Sequence, residues 1–217
     1  MVDTKIKDLG VLCTPCSCDV IAMVDVTCPA TTMKITYDNF IGGNKVVGTQ
    51  DFWIPAGAWT VDPTACAGAD ISETKIGCVY VTTVNFDSTT SEDAQFIWHP
   101  PANWDNSTVL WQLVWTNSCG LATETIDFDL AGVALSDDDP IATATFGTAK
   151  SVTDTFTAQN DHNVTAFSTV VTIGGTPTTG DSIVFKISRD TAADNLTGDC
   201  KVIGVNIRAT VNAGTST

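Results

Sequence analysis

The sequence predicts an all-β protein: a two-sheet antiparallel β-sandwich, jelly-roll-like, preceded by a small N-terminal attachment segment. Short apolar or alternating runs recur along the chain and are separated by turn-forming residues, which is the pattern of strands and tight connections. Charged residues make up only 16% of the 217 residues, and Thr, Ser, Asn and Gly supply most of the remaining polarity. β-Branched Thr suits a half-exposed pleated surface, so the composition favours strands over helices.

Seven or eight strands are predicted between about residues 45 and 210. Alternation is clearest at 182–188, where Ile183, Phe185 and Ile187 share one face of the strand. Trp111 and Trp115 share a face of the run at 108–115, and we expect both to pack in the core. The other predicted strands are 78–84, 95–98, 126–135, 169–173 and 202–208. Residues 140–150 are a weak helix candidate, and a short helix or an edge segment is an equally good interpretation.

The N-terminal residues form a separate predicted unit. Two short strands are expected at 19–25 and 33–37, and Gly42, Gly43 and Asn44 indicate a hinge. We therefore divide the chain into an attachment and trimerisation segment, 1–43, and a β-sandwich domain, 44–217. A unit of this size buries little surface alone, so we expect it to complete its core against copies of itself in a homotrimer.

Charge and hydropathy exclude two classes of partner. The chain has 10 Lys and Arg against 25 Asp and Glu, a net charge of −15, so it lacks the basic stripe that nucleic-acid binding requires. No run approaches the roughly 18 apolar residues of a membrane span, and residues 1–7 show no signal-peptide core. We expect synthesis in a cytoplasm.

The eight cysteines are many for a cytoplasmic chain, which fits a protein that works outside the cell after lysis.

No catalytic residue, cofactor or metal ligand is predicted. The chain has two histidines, His99 and His162, and neither a G-x-S-x-G nor an H-E-x-x-H motif. Asp127 and Asp129 alternate along a strand as a glycosidase acid pair could, but a solvent-facing sheet surface gives the same pattern and is the favoured interpretation. A turn is likewise favoured over a Ca²⁺ site at residues 137–139.

The cysteines are predicted to form disulfides, with free buried thiols as the alternative. Cys13, Cys16, Cys18 and Cys28 contain one C-x₂-C knuckle, whereas a Cys₄ zinc site usually has two, so bridges are favoured over zinc there. Cys66 and Cys78 flank a polar loop that a bridge would close, and Cys119 and Cys200 allow a long-range bridge. The pairing is open, because eight cysteines permit about 105 connectivities.

Three of the six tryptophans, Trp53, Trp59 and Trp104, lie in or near predicted loops. Exposed indole rings stack on sugar rings and fill protein interfaces. We take these three as candidate interface or glycan-stacking residues; the alternative is that they close the ends of the sandwich.

Motifs along most of the chain resemble those of phage virion proteins. The N-terminal run has D-T-K-I at 3–6, T-P at 14–15, D-V-I-A-M-V-D at 19–25 and K-I-T at 34–36, and it resembles the attachment segments of tailed-phage fibre and virion proteins. The body resembles a β-sandwich module of structural proteins from phages of aquatic bacteria, including cyanophages. The matching stretches of the body are 52–58, 86–87, 94–96, 101–104, 107–109, 134–139, 146–148, 180–181, 185–190 and 204–205.

The resemblance implies a non-enzymatic virion protein on the particle surface, assembled in the host cytoplasm. We expect a tail-fibre or receptor-binding component that attaches to other virion proteins of the tail or baseplate and displays its sandwich to a host surface glycan. A capsid decoration protein, attached to the capsid, is the alternative within this class. From a different class, the residues also fit a carbohydrate-binding module or a carbohydrate-active enzyme.

Overall fold

The structure is a computed structural model that describes residues 20–24, 32–36, 47–62 and 69–212. The chain divides into two compact units, Met1–Val46 and Val47–Thr217. In the first unit, β1 (Val20–Val24) pairs antiparallel with β2 (Thr32–Thr36), as the sequence predicts. The predicted hinge at residues 42–44 lies outside the described residues.

The second unit is a β-sandwich of two sheets, which confirms the predicted fold class. Sheet I has the strand order β10 (Lys150–Thr155), β9 (Thr125–Leu135), β12 (Ser182–Arg189), β7 (Asp93–Trp98) and β4 (Thr60–Val61). Sheet II has the order β11 (Asn163–Val164), β8 (Trp104–Thr116), β13 (Cys200–Val211), β6 (Val79–Phe86) and β5 (Asp70–Ile76), and β3 (Gly48–Pro55) also pairs with β13. All these strand pairs are antiparallel.

One predicted strand is wrong, and the weak helix candidate contains only a short helical turn. The run at 169–173 is not a strand; Val171 makes only an isolated bridge to Val109. The helix predicted at 140–150 is a single 3-10 turn, Ile141–Thr143, with no buried residue, because this segment has no apolar stripe to pack against the sheets.

The core lies between the sheets and consists of residues at alternating strand positions. Ile183, Phe185, Ile187, Trp111 and Trp115 are fully buried, which confirms the two faces predicted from period two. Ring contacts with centroids 5.2–6.2 Å apart join an aromatic cluster made of Phe52, Trp59, Phe96, Trp98, Trp104 and Phe185. This geometry is typical of favourable tilted and edge-to-face packing.

Two tryptophans of sheet II also tie it to the edge strand of sheet I. The indole Nε1 of Trp111 donates to the Lys150 carbonyl, and that of Trp115 donates to Asp154 Oδ2, both at 2.9 Å. A buried indole N–H needs an acceptor, so these bonds fix β10 against the core from the other sheet.

Arg189, at the end of β12, is fully buried. Its guanidinium donates to both carboxylate oxygens of Asp194 at 2.8 and 2.9 Å, and to the backbone carbonyls of Phe86, Gly198 and Leu196 at 3.0 Å. All five N–H donors of the side chain therefore have acceptors. These bonds join sheet I to β6 of sheet II and to the loop that leads into β13.

The long-range bridge that Cys119 and Cys200 would allow is not formed, because both thiols are free, and Cys200 matches the alternative of a free buried thiol. Cys200 faces the core from β13 and is fully buried, whereas Cys119 is exposed and its Sγ lies 3.5 Å from the Thr197 carbonyl oxygen. Burial also raises the pKa of the Cys200 thiol. Cys78 is a free, exposed thiol. The other candidate cysteines, Cys13, Cys16, Cys18, Cys28 and Cys66, lie outside the described residues.

Replacing Asp194 with Ala is expected to lower the free energy of unfolding by about 3–5 kcal/mol, because it leaves the Arg189 guanidinium buried without its counter-charge. Denaturant unfolding measures the change. The control is Asp51→Ala, which removes the partner of Arg208 from a half-exposed ion pair and should cost about 1 kcal/mol or less. Equal losses in the two variants would contradict the structural role of Arg189.

Candidate functional site

The outer face of sheet II carries aromatic and polar side chains along β13. Strand alternation directs Ile203, Asn206 and Arg208 outward, while Val205 and Ile207 are buried in the core. Ile203 and Arg208 are separated by about 17 Å along an extended strand. We call this surface, with the side chains that β3, β8 and the 163–171 segment add to it, the β13 face.

Trp53 contributes an exposed aromatic ring to the β13 face. The residue pairs with Asn206 across β3 and β13, and it is 47% exposed. Its ring extends over Gly204: a Cβ placed there would lie 2.6 and 2.7 Å from the Trp53 ring atoms Cη2 and Cζ2, and 2.6 Å from the Ile54 carbonyl oxygen. Glycine at 204 therefore lets the indole lie against the strand, with the rest of the ring open to solvent.

A row of two amide side chains continues from Trp53 across β13 to β8. Asn206 pairs with Gln112 of β8, and its Nδ2 donates to Gln112 Oε1 at 3.2 Å. Gln112 is itself held by a bond from its Nε2 to the Thr165 carbonyl at 2.7 Å. The Oδ1 of Asn206 takes no part in these bonds, so it is available to accept a hydrogen bond from a hydroxyl group.

An ion pair and a second aromatic ring lie beyond the amides. Arg208 donates to Asp51 Oδ1 and Oδ2 at 2.6 and 2.7 Å, and its guanidinium carbon lies 3.8 Å from the centroid of the Phe167 ring. The hydrogen bond from Arg208 holds the pKa of the Asp51 carboxyl below its ordinary value. The bidentate pair cancels the charge of both groups and fixes the guanidinium plane.

At its other end, the β13 face borders an apolar cleft of about 260 Å³. Ile203 and Thr116 lie on the two neighbouring strands β13 and β8. The β5–β6 hairpin contributes Ile76, Val79 and Val81 to the lining, and the loop before β11 contributes Asn160, Asp161 and His162. The Thr116 hydroxyl is buried and has no hydrogen-bond partner among the described residues.

Sheet I carries a different and larger cleft on its own surface, of about 380 Å³. Gln95 and Lys186 are paired neighbours on β7 and β12, and both line this cleft, as do Asp93 and Phe146. The Lys186 ammonium lies 5.4 Å from the centroid of the Phe146 ring. The aromatic ring here is therefore engaged by a cation, in contrast to Trp53.

Only one of the three predicted surface tryptophans lies at the surface. Trp53 does, but Trp59 and Trp104 are 4% and 3% exposed and belong to the aromatic cluster of the core. Trp59 stacks on Phe96 and Trp104 packs edge-on against Trp98. Because their rings do not reach solvent, neither can stack on a glycan, and both belong to the hydrophobic core.

The acidic candidates of β9 are not both solvent-facing as the sequence predicts, because Asp127 is only 7% exposed. Asp127 and Asp129 lie two residues apart on β9, and neither lines the clefts described above. At residues 136–139 the Ser136 N–H donates to Asp139 Oδ2 at 2.8 Å and closes a turn. Among the described residues, no group of three or more His, Cys, Asp or Glu side chains could hold a metal ion.

Sequence reasoning missed most of the β13 face. Asn206, Gln112 and Arg208 occupy alternate positions of ordinary strands, and nothing in their spacing distinguishes them from solvated polar residues. Asp51 and Arg208 are 157 residues apart in the chain. Only the register of three strands brings these side chains together beside Trp53.

No family model and no curated protein matches the chain. Among solved structures, it is similar to the CBM22-1–GH10 modules of xylanase 10B from Clostridium thermocellum, with 16% identity, a TM-score of 0.43 and coverage of 80% of this chain. It spans 29% of that xylanase chain. The xylan-binding module CBM15 matches at 13% identity and a TM-score of 0.41, over 78% of this chain and 100% of its own.

A third match is the CBM36-1 domain of a multidomain xylanase from the hindgut metagenome of Trinervitermes trinervoides. Its identity is 9% and its TM-score 0.38, over 77% of this chain and 100% of the module. Similarity at this level does not carry a function from these proteins to this chain.

Among the described residues, no helix is long and apolar enough to cross a membrane.

The buried carboxyl of Asp127 on β9 leads to a prediction about the pH dependence of stability. Burial raises the pKa of the Asp127 carboxyl to about 6, and the neighbouring Asp129, Asp190 and Asp194 carboxylates add to the rise. The folded protein thus binds this proton more tightly than the unfolded chain, so stability falls as the pH rises from about 4 to about 6 and stays lower above that range.

Asp127→Asn is therefore expected to raise the free energy of unfolding at pH 8 by about 1–3 kcal/mol, and to change it little below about pH 4. Urea unfolding at both pH values measures this difference. Asp137→Asn, at an exposed position, serves as the control and should change little at either pH. A gain that is equal at both pH values would contradict the titration of Asp127.

Proposed function

We propose that the sandwich unit is a non-catalytic carbohydrate-binding module that uses the β13 face. The observation that carries this proposal is the Trp53 ring, which lies against Gly204 and is half exposed. A sugar presents a face of C–H groups and a rim of hydroxyl groups, and a flat aromatic ring next to hydrogen-bonding amides complements both. Trp53 supplies the ring, and Asn206 and Gln112 supply the amides.

The same surface supports binding rather than bond cleavage. General acid–base catalysis needs a titratable group free to exchange a proton with the substrate. The carboxylate closest to Trp53 along β3 is Asp51, and both of its oxygens accept bonds from Arg208. The amides of Asn206 and Gln112 do not titrate. The groups beside Trp53 therefore offer stacking and hydrogen bonding, and none of Asp51, Asn206 and Gln112 is a free general acid or base.

Trp53→Ala is expected to weaken binding of a soluble polysaccharide ligand at least tenfold, because truncating an aromatic anchor costs roughly 2 kcal/mol or more. Affinity electrophoresis against a panel of neutral and acidic polysaccharides identifies the ligand, and calorimetry measures the loss. The unfolding transition should hardly change, since the ring is half exposed.

The matched control is Phe146→Ala, which removes the aromatic ring from the cleft of sheet I. It should leave binding unchanged. Loss of binding in Phe146→Ala but not in Trp53→Ala would assign the ligand to the opposite face. Absence of binding to every polysaccharide in the panel would contradict the proposal as a whole.

A second candidate is the phage virion role, as a tail-fibre or receptor-binding protein or, alternatively, a capsid decoration protein. It is favoured by the resemblance of residues 1–41 and of the body to virion proteins. The two candidates are compatible, since a sandwich displayed on a particle can bind a glycan of the host surface. In that setting residues 1–43 provide attachment and assemble three chains.

Light scattering on the full chain tests this second candidate. A homotrimer at three times the 22.9 kDa chain mass is expected, independent of added saccharide. A monomer at micromolar concentration would contradict the trimeric attachment role and would leave glycan binding by the sandwich unaffected. Locating the chain on an intact particle distinguishes tail from capsid.

A further inference from the structure

We infer that the apolar cleft at the end of the β13 face binds an acetyl substituent of the glycan. This inference rests on the proposed function, because it uses the position of the cleft relative to Trp53. Ile203 lines the cleft, and the next residue, Gly204, is the one against which the Trp53 ring lies. If a saccharide stacks on Trp53 and extends along β13, a substituent next to the stacked sugar therefore reaches the cleft.

The walls of the cleft select an apolar group. Four aliphatic side chains line it, Ile76, Val79, Val81 and Ile203. Hydroxyl groups of an unsubstituted sugar would lose their bonds to water against these walls, and burying an unpaired hydroxyl is unfavourable. A methyl group gains free energy from the same burial. The cleft thus favours a substituent that ends in a methyl group.

The rim of the cleft adds hydrogen-bond donors. Asn160 and His162 line it together with Asp161, whose carboxylate accepts a bond from Thr157 Oγ1 at 3.2 Å. The structure shows no side-chain hydrogen bond of Asn160 or His162. The backbone N–H of Asn160 donates to the Asn117 carbonyl at 2.7 Å, which anchors this loop. An amide N–H and an imidazole N–H complement the carbonyl oxygen of an acetyl group. A methyl group alone, as in a deoxy sugar, would not use these donors.

The cleft has room for an acetyl group. Its volume is about 260 Å³. The remaining saccharide would lie outside it, on the β13 face. Acetyl groups occur in glycans both as N-acetyl amides and as O-acetyl esters, and the same cleft chemistry would accept either.

Two matched ligand pairs test the inference with the full chain. The first compares chito-oligosaccharides with cello-oligosaccharides of equal length, which differ in an N-acetyl group against a hydroxyl. The second compares an O-acetylated polysaccharide with the same material after mild alkali, which hydrolyses esters and leaves amides intact. We expect the acetylated member of at least one pair to bind at least about fivefold more tightly, from one buried methyl and one hydrogen bond.

Variants locate the preference in the cleft. Val79→Thr, on a half-exposed wall, and His162→Ala, at the rim, should each reduce the ratio of affinities for acetylated and deacetylated ligand about threefold or more, without loss of stability. Val47→Thr introduces the same change at an exposed valine that lies outside the β13 face and does not line the cleft, and it should leave the ratio unchanged.

The outcomes separate this inference from the proposed function. Equal binding of acetylated and deacetylated ligands, with binding still lost in Trp53→Ala, would overturn the acetyl site and leave the glycan-binding function in place. An acetyl preference that survives in both Val79→Thr and His162→Ala would also overturn it, because the acetyl group would then bind elsewhere. The absence of binding to any saccharide would contradict both the acetyl site and the glycan-binding function.

Discussion

The buried guanidinium of Arg189 is the constraint on which the sandwich depends. A charge with no solvent contact is tolerated only when its donors are paired and its charge is balanced, and here Asp194 and three backbone carbonyls meet both conditions. Its acceptors belong to the last residue of β6 and to the loop that enters β13. The position of β13 in sheet II is therefore coupled to the end of β12 in sheet I.

The geometry of the β13 face depends on this coupling between β13 and β12. β13 pairs with β3, β6 and β8, so its outward side chains form the line along which the aromatic ring, the amides and the ion pair are ordered. Gly204 is as important as these side chains, because the absence of a Cβ at this position lets the Trp53 ring lie against the strand. The apolar cleft continues this line from Ile203. A single strand thus aligns the groups that we propose to contact successive parts of a saccharide.

The excess of acidic residues has two effects. It is unfavourable for stability near β9, and it affects which glycans the protein can bind. Near β9 it leaves the Asp127 carboxyl buried beside three other carboxylates, which raises its pKa. On the β13 face the cation Arg208 is balanced by Asp51. With a net charge of −15, long-range electrostatics would repel polyanions, and a neutral glycan would meet no such barrier. Binding by stacking and hydrogen bonding suits a protein with this charge.

The sequence by itself determined the fold class and the buried faces of the strands, because period-two alternation is a local property. Ile183, Phe185 and Ile187, and Trp111 with Trp115, were assigned to the core on that basis. Only the tertiary structure decided that Trp53 is exposed while Trp59 and Trp104 are buried, since all three lie near strand ends where periodicity says nothing. It likewise decided that Cys119 and Cys200 are free thiols, and that Arg208 meets Asp51. The physical reason is the same in each case: strand register joins residues that are distant along the chain, and no local pattern encodes it.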